Sequence, residues 1–304
     1  MKAARIHAYG SADVIRYEDA PTPRPGPGEV LLQVAAVAHN PSDVWLRAGM
    51  LHEMFPARFP ATLGVDVSGT VVEAGPGASF TIGDRVMGRA DTGATAAEYA
   101  VVRAGDLTVA PGGIPLTHAA AIPVAGLTAW QAVVDHARVA QGERVLVNGA
   151  GGGVGSFGVQ LAKRAGAFVV ATAGPRSAEA VARLGADRVV DYTAGDLAAA
   201  VGGPVDVLLN FAGIPPETAG ALGSLVRPGG RVVSVATPVE VPDAVTSTHF
   251  VARNDIVQLA GLAGLVDAGD LVVEISEVRP MAEIAEVHRA AEAGGIRGKV
   301  LLIP

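Results

Sequence analysis

Glycines recur at three-residue intervals, at Gly149, Gly152 and Gly155, between two stretches of different periodicity. The apolar, β-branched run at 145–147 predicts a buried strand, and the amphipathic stretch from 154 to 163 predicts a helix. A glycine turn between them lets a pyrophosphate approach the backbone, while the first amides of the helix hold its charge. The spacing is GxxGxxG rather than GxGxxG, and a flexible loop in an ordinary βαβ unit is the alternative. The predicted dinucleotide contacts are Gly149, Ala150, Gly152, Gly153 and Val154.

The segment after the second strand of this region bears on which dinucleotide is bound. NAD-specific units place an acid there to hold the ribose 2′-hydroxyl, but residues 173–177 contain none. Arg176 and Ser177 instead offer a cation and a hydroxyl suited to a 2′-phosphate. Tyr192, after the third strand, can stack or hydrogen-bond nearby. The segment favours NADPH over NADH; in the alternative, Arg176 is a solvated turn residue and Ser177 only caps a helix.

Four further candidates lie at or just after the carboxyl ends of later strands of the same region. Ligands of doubly wound parallel sheets bind beyond the carboxyl ends of the strands. Tight backbone packing explains such small residues equally well. The candidates are Ala212, Gly213, Val235 and Ala236.

Composition excludes several classes of function. Half of the 304 residues are hydrophobic, enough for a large core over about two domains. A net charge of -7 gives no attraction for nucleic acid or anionic membrane surfaces, and no apolar run reaches the ~18 residues of a spanning helix. Cysteine is absent, which removes disulfides, thiolate nucleophiles and Cys-containing zinc sites. The first residues lack the apolar region of a secretory signal, so we expect a cytoplasmic protein.

The first third of the chain contains short strands separated by turns, which is typical of a barrel-like β module. These strands are predicted at 29–38, 67–75, 84–88 and 97–102. A helix capped by Thr117 and a second helix at 127–137 follow.

Strands and helices then alternate, which is typical of a doubly wound parallel sheet. The strands are predicted at 144–148, 168–172, 188–192, 205–211 and 231–236, and the helices between them begin near Val154, Ser177, Asp196 and Pro216. The last elements are a helix at 256–268, a strand at 271–278, a helix opened by Pro280 and a strand at 299–303. We expect the closing elements to return to the first module, so one domain comprises 1–116 and 270–304 and the other 117–269.

Short motifs follow one another in a specific order along essentially the whole chain. They are Asn40-Pro41-Ser42-Asp43 with Arg47 and Gly49, then 63–69, 83–86, 120–123 with 127–130, the glycine turn, 227–231 and 297–300. In this order they resemble the medium-chain dehydrogenase/reductase superfamily, in its zinc-free quinone oxidoreductase branch. The resemblance implies an α/β protein in which a GroES-like β-barrel catalytic domain is split around a Rossmann domain, with NADPH in the cleft between them.

The chain departs from the zinc alcohol dehydrogenases of that superfamily at their metal ligands. Asn40 stands where they have a cysteine, and Val65 and Asp66 replace the His-Glu of their Gly-His-Glu. The seven histidines form no HxxxH or HxH pair and are interpreted as scattered. We therefore predict no metal site, and an alcohol is a poor substrate without a Lewis acid.

By resemblance, Asn40, Asp43 and Thr128 line the nicotinamide end of the site. Asn40 can hydrogen-bond the acceptor oxygen or the cofactor, and Thr128 can fix the carboxamide, although both types are common in turns. Asp43 equally suits a helix cap. Trp45 stands where many relatives have tyrosine, and it shapes an apolar pocket without donating a proton. The proton would then come from water.

These observations predict an NADPH-dependent reductase of a small-molecule quinone or conjugated enone. One alternative is a 2-enoyl thioester reductase, for which only Arg47 and Arg58 offer a basic entrance. The other is a protein that holds NADPH as a redox sensor without turnover. Relatives dimerise through the edge strands of their Rossmann sheets, and the apolar residues near Phe250 are compatible with a homodimer.

Overall fold

A computed structural model describes residues 1–195 and 197–304; the predicted helix start at Asp196 lies outside the described residues. The strands in chain order are β1 (Lys2–Ile6), β2 (Ile15–Asp19), β3 (Glu29–Ala38), β4 (Ala61–Thr62), β5 (Asp66–Ala74), β6 (Arg85–Arg89), β7 (Tyr99–Arg103), β8 (Leu107–Val109), β9 (Arg144–Asn148), β10 (Phe168–Thr172), β11 (Arg188–Val190), β12 (Val205–Asn210), β13 (Val226–Ser234), β14 (Thr246–His249), β15 (Ile275–Pro280) and β16 (Lys299–Ile303). The helices are α1 (Pro41–Ala48), α2 (Leu116–Ala119), α3 (Pro123–Trp130), α4 (Gly153–Arg164), α5 (Ala178–Arg183), α6 (Leu197–Val201), α7 (Pro216–Gly223), α8 (Ile256–Asp267) and α9 (Ile284–Glu292).

Contacts divide the chain into two compact units. The first unit comprises Met1–Val124 and Asn254–Pro304, and the second comprises Ala125–Arg253. Residues 117–124 and 254–269 therefore belong to the first unit; α8 contacts β8 there, and the Asn254 amide donates to the Arg89 carbonyl at 2.9 Å. The domain boundaries predicted from sequence, at 116 and 270, stay a prediction.

The first unit is built on two sheets. A three-stranded sheet has the order β2-β1-β4, and a seven-stranded sheet has the order β15-β16-β3-β5-β6-β8, with β7 also paired to β3. Alternate residues of β3 point inward, so that Val30, Leu32 and Val34 join the core with Val86 of β6. β16, near the end of the chain, pairs antiparallel with β3.

The second unit is a six-stranded parallel sheet in the order β11-β10-β9-β12-β13-β14. The chain order reverses between β9 and β12, as in doubly wound folds that bind ligands at that point. Central strands carry continuous apolar runs because both faces are covered by helices; Leu146, Val170 and Leu208 are fully buried. The α/β fold class predicted from sequence is confirmed.

Most predicted elements are present, but several differ in detail. β13 comprises Val226–Ser234 rather than 231–236. Thr117 lies inside α2, which is preceded by Pro115, so its assignment as the cap is wrong. The predicted helix at 127–137 begins at Pro123 and continues after Trp130 as a π-helix, Gln131–His136. β15 begins at Ile275 rather than 271. No helix within the described residues is long and apolar enough to cross a membrane.

Candidate functional site

The glycine turn of the second unit joins β9 to α4, and its glycines at 149, 151 and 155 leave no room for side chains. Gly149 has a φ of 82°, in the left-handed region that favours glycine. A Cβ on Gly155 would lie 2.2 Å from the Gly149 carbonyl oxygen and 2.7 Å from the Ala150 Cα. The close approach brings the first turn of α4, which follows Gly152, against the backbone of the turn itself. The turn thus has the bare backbone and the helix N-terminus that a pyrophosphate requires.

A chain of buried polar side chains fixes this turn at the carboxyl end of the sheet. The Asn148 amide donates to the Asn210 Oδ1 at 2.8 Å and its Oδ1 accepts from the Thr172 hydroxyl at 2.8 Å. The Gly149 N–H donates to the Thr172 Oγ1 at 3.0 Å. Asn210 also donates to the Thr237 carbonyl at 3.0 Å. Side chains from β9, β10 and β12 therefore position the turn.

The segment after β10 comes close to the turn. A Cβ on Gly151 would lie 2.3 Å from the Ser177 Oγ, so this hydroxyl lies over the glycine turn. Arg176 is exposed beside it, and Tyr192 approaches Gly174 with its ring. Ser177 precedes α5, but its Oγ donates to the Gly174 carbonyl at 3.3 Å rather than capping the helix.

The other candidates of the second unit lie past the strand ends. Ala212 follows β12 and lies against the glycine turn, because a Cβ added to Gly149 would be only 3.0 Å from the Ala212 Cβ. Val235 and Ala236 follow β13, and the Val235 N–H donates to the Asn210 carbonyl at 3.2 Å. Gly213 is exposed next to Ala212. Thr128 is buried in α3, 7% exposed.

In the first unit, Asn40 belongs to a buried group of charges. Its amide donates to the Asp66 Oδ2 at 2.9 Å and to the Ala38 carbonyl at 3.3 Å, and its Oδ1 accepts from the Lys299 ammonium at 2.9 Å. Lys299 also contacts the His39 carbonyl and the Asp66 Oδ2, both at 3.3 Å. Both donors of Asn40 are thus used, so it can accept a further hydrogen bond but not donate one.

Asp66 completes the group. It is fully buried, and its Oδ1 accepts the Val124 N–H at the start of α3 at 2.9 Å. A carboxylate at a helix N-terminus is favourably placed. The ammonium of Lys299, itself 3% exposed, therefore has three oxygen acceptors and a buried counter-charge.

These residues do not fit a zinc ion. Zinc prefers thiolate, imidazole and carboxylate ligands, whereas this group offers an amide, one carboxylate and an ammonium that already lies between them. Val65 contributes no ligand. Elsewhere in residues 1–195 and 197–304, no three His, Cys, Asp or Glu side chains come together as a metal site.

Asp43 lies at the first turn of α1 and bonds back to the residue before that helix. Its Oδ2 accepts the Asn40 N–H at 2.8 Å. Burial raises the pKa of Asp43 to about 7, the Asn40 N–H opposes the rise, and the nearby Asp66 adds to it. Trp45, further along α1, is 41% exposed and free of that buried group. The structure thus brings Asn40 and Asp43 together in one network.

Two histidines interpreted as scattered are in fact neighbours. The rings of His39 and His288 lie 5.0 Å apart edge to face, although 249 positions separate them. Burial lowers the pKa of His39 to about 3 and that of His288 to about 4. Both are therefore neutral near pH 7.

The raised pKa of Asp43 predicts a pH-dependent stability. Between about pH 4 and 7 the folded protein keeps a proton on Asp43 that the unfolded chain has lost, so this contribution falls as the pH rises. The pKa difference corresponds to on the order of 4 kcal/mol. His39 and His288 act in the opposite direction, since their lowered pKa makes stability rise from about pH 3 to 6.5. We therefore compare urea unfolding of wild type with Asp43→Asn across pH 4–8.

The difference in unfolding free energy between the two proteins should fall by this amount over that range, because the histidine contributions cancel. A difference that does not change with pH would show that Asp43 titrates normally.

Lys299 is the residue that sequence reasoning missed. It lies 259 positions from Asn40, and a lysine at the start of a strand is ordinarily solvated. The one available signal is its place in the motif at 297–300, but that motif indicates the family and not the role of this lysine.

Comparison with known proteins places this arrangement in a family. The alcohol dehydrogenase GroES-like domain family matches residues 26–142, and the zinc-binding dehydrogenase family matches residues 184–302. A quinone oxidoreductase from Coxiella burnetii has a solved structure that superposes with a TM-score of 0.90 at 30% identity, covering 100% of this chain and 99% of that one. The chain belongs to the medium-chain dehydrogenase/reductase superfamily, in its quinone oxidoreductase branch.

Two curated relatives define the extent of the similarity. The mitochondrial NAD(P)H oxidoreductase RTN4IP1 of Bos taurus is 31% identical, and the alignment covers 99% of this chain and 89% of the bovine protein. The chloroplastic quinone-oxidoreductase homolog of Spinacia oleracea is 40% identical over 202 residues. That alignment covers 63% of this chain and 61% of the spinach protein, which is less than two thirds of its length.

Proposed function

We propose that the protein is an NADPH-dependent, zinc-independent oxidoreductase that transfers a hydride to a quinone or a conjugated enone. The observation that carries the proposal is the Lys299 ammonium between Asn40 and Asp66. Its three N–H groups already have protein acceptors, so it offers no open position for a substrate carbonyl. Without a Lewis acid, the acceptor must itself delocalise the charge that a hydride brings. Quinones and enones do this, and saturated ketones do not.

The residues of the second unit support a nicotinamide dinucleotide. When bound, reduced nicotinamide supplies the hydride, and the protein contributes orientation and exclusion of water. Glycine at 149 and 155 lets the turn pack closely against Ala212 and against the first turn of α4, which is the close packing that a pyrophosphate-binding glycine turn needs. Ser177 lies over the same turn, so it and Arg176 are suited to a 2′-phosphate. The remaining predicted contacts are retained as part of the proposal: Ala150, Gly152, Gly153, Val154, Tyr192, Ala212, Gly213, Val235 and Ala236.

We assign the acceptor end to Asn40, Asp43, Trp45 and Thr128. Asn40 can serve there only as a hydrogen-bond acceptor, because its amide hydrogens are donated to Asp66 and Ala38. That suits the amide of a nicotinamide carboxamide and does not suit an acceptor oxygen. Trp45 supplies an exposed apolar surface for a flat conjugated ring.

The enoyl thioester alternative loses one of its two basic candidates. Arg47 is fully buried and its Nη2 donates to Glu292, so it cannot line an entrance for a phosphate-bearing thioester. Arg58 is exposed and remains. The other alternative is a protein that binds NADPH without turnover. Oxidation of NADPH that depends on an added acceptor would exclude it.

We also propose a homodimer. β14 forms the edge of the second unit's sheet and pairs only with β13 among the described strands. Val251, two residues beyond it, is 82% exposed. A strand whose outer side is unpaired, next to an exposed apolar residue, is suited to pairing with a second copy of the chain.

Arg176→Ala should weaken NADPH binding by about 1–3 kcal/mol and leave NADH binding unchanged, because only NADPH carries the 2′-phosphate. Dissociation constants from fluorescence titration measure both. The matched control is Arg183→Ala, an exposed arginine on α5 that pairs with Glu179 at 3.0 Å. Equal losses for both cofactors, or a wild-type preference for NADH, would remove Arg176 from the cofactor site.

Wild type should reduce quinones with the highest kcat/KM, then enones, then simple ketones. Trp45→Tyr adds a phenolic donor and should raise enone turnover relative to quinone turnover, since acid catalysis contributes about a hundredfold or more where it operates. Trp45→Phe keeps an aromatic ring without the hydroxyl and is the control. A wild-type preference for enoyl thioesters would instead support the alternative function.

A further inference from the structure

Polar side chains lie between α1 and α9, which are packed against each other in the first unit. Three of them are spaced by four residues and lie on one face of α1 and of the residues just before it: His39, Asp43 and Arg47. His288 and Glu292 have the same spacing on α9. These five residues are termed the α1–α9 seam.

Most of the seam is buried, but many of its hydrogen-bond donors and acceptors have no partner among the described residues. His39, Asp43, Arg47 and His288 are at most 7% exposed. Within the part of the chain that the structure describes, six of their side-chain atoms have no hydrogen-bond partner: His39 Nδ1 and Nε2, Asp43 Oδ1, Arg47 Nε and Nη1, and His288 Nδ1. Each such atom costs about 1–3 kcal/mol if it stays unpaired, so six of them together would cost roughly as much as the whole net stability of a typical protein.

A cavity adjoins these atoms. Its walls include His39, Asp43 and His288 together with apolar residues such as Leu63 and Ile284. The volume within which the centre of a water molecule can move is about 10 Å³. A cavity of about this size holds one water molecule. His39 Nδ1 and Asp43 Oδ2 are 3.9 Å apart, too far for a direct hydrogen bond. A water with three polar neighbours in such a space is strongly bound.

The seam reaches solvent at one end. The Arg47 Nη2 donates to the Glu292 Oε1, and the Glu292 side chain is 40% exposed. From Glu292 the order of polar groups runs inward through Arg47 and His288 to His39 and Asp43. Arg47 has donors only and cannot itself relay a proton, so a route from the Asp43 carboxyl group to bulk water has to run through water molecules beside these side chains.

We propose that the α1–α9 seam binds internal water, and that this water forms a proton path between solvent at Glu292 and the carboxyl group of Asp43. The use of this path in catalysis rests on the proposed function, because only a reductase has a reduced acceptor that needs a proton. An acceptor that has gained a hydride carries a new electron pair on oxygen and needs one proton. The Asp43 O–H bond breaks to supply it, and the Asp43 carboxylate then takes a proton from the seam water, which solvent replaces.

The charges around Asp43 suit this role. Asp66 from β5 and Lys299 from β16 act on its carboxyl group through space. The His39 Nδ1 lies 3.9 Å from its Oδ2, and His288 lines the same cavity. Arg47, one turn further along α1, pairs with Glu292. Burial and Asp66 raise the pKa of Asp43 to about 7, so protonated and ionised forms are both available near neutral pH. A neutral imidazole has one N–H and one acceptor nitrogen, which lets it pass a proton without keeping a charge.

The test follows exchange of the Asp43 carboxyl proton for deuterium by rapid-mixing infrared spectroscopy, about one pH unit below its pKa. Asp43→Asn identifies the band. We expect fast exchange in wild type and exchange slowed at least about tenfold in His288→Leu and Glu292→Gln, since each interrupts the path. Glu292→Gln changes an exposed residue and keeps an oxygen for Arg47, so it remains informative if His288→Leu does not fold.

Matched controls are Glu286→Gln, which alters another arginine-paired glutamate of α9, and His136→Leu, which alters an exposed histidine. Neither should change the exchange rate. Nuclear Overhauser transfer from water to the His39 and His288 rings should be present in wild type. Unchanged exchange in both seam variants, or no transfer from water to either ring, would overturn the proposal.

Turnover with an enone supplies the second measurement. Glu292→Gln should lower kcat and increase its solvent isotope effect, with KM unchanged, whereas Glu286→Gln should change none of these. Normal kcat together with slowed exchange would overturn the catalytic use of the path. If wild type reduces no acceptor at all, the proposed function fails, and the exchange experiment still decides whether the path exists.

Discussion

Lys299→Met is expected to destabilise the protein by about 3–5 kcal/mol, because it leaves the Asp66 carboxylate buried without its counter-charge. Methionine keeps the length and volume of the side chain, so lost packing adds little. Asn40 would lose the donor to its Oδ1 at the same time. Urea unfolding monitored by tryptophan fluorescence measures the change at constant pH.

Lys163→Met provides the control for this substitution. Lys163 pairs with Asp187 at 2.6 Å, but its side chain is 44% exposed, so the loss should stay within about 1 kcal/mol. The double variant Lys299→Met, Asp66→Asn should recover part of the loss, since neither charge is then unpaired. Equal effects at positions 163 and 299, or stoichiometric zinc in the purified wild type, would contradict the role given to Lys299.

Gly155→Ala is expected to weaken dinucleotide binding by about a hundredfold, because displacement of a positioning element by an ångström has effects of that size. The new Cβ would meet the Gly149 carbonyl at 2.2 Å and the Ala150 Cα at 2.7 Å. Both are backbone atoms that no rotamer change can move, so α4 or the turn must shift. Isothermal titration with NADPH measures the loss.

Gly220→Ala is the matched control in the same unit. Gly220 lies inside α7, and nothing occupies the space within 4 Å of its added Cβ. Alanine is the better helix former, so this variant should bind NADPH normally and gain up to about 1 kcal/mol in stability. Normal NADPH binding by Gly155→Ala would show that the turn does not hold the dinucleotide.

The sequence predicts the second unit well because its signals are local. Apolar runs bounded by turns define β9 and β10 at their observed bounds, and Pro216 marks the start of α7. Weakly patterned strands such as β14 were not predicted, since their pairing depends on the neighbouring strand rather than on their own residues. The π-helix at Gln131–His136 has no recognised sequence signal.

The site in the first unit was predicted less completely. The motif at 40–43 identified Asn40 and Asp43, but their partners Lys299 and His288 come from the other end of the chain. Spacing rules detect groups on one helix or strand, and they fail where sheet pairing brings remote segments together. Arg47 shows the same limit, since a charged residue predicted at an entrance is instead fully buried.

The pairing of β3 with β16 also affects the order in which the chain can fold. The second unit is one continuous segment, Ala125–Arg253, and its sheet needs no residue from outside it. The large sheet of the first unit has β16 next to β3, so it is complete only once residues near position 300 have left the ribosome. During synthesis the end of β3, at Val37 and Ala38, therefore lacks its partner strand, while the second unit can already form its parallel sheet. We expect chaperones to bind mainly to the part of the first unit that is synthesised first, Met1–Val124.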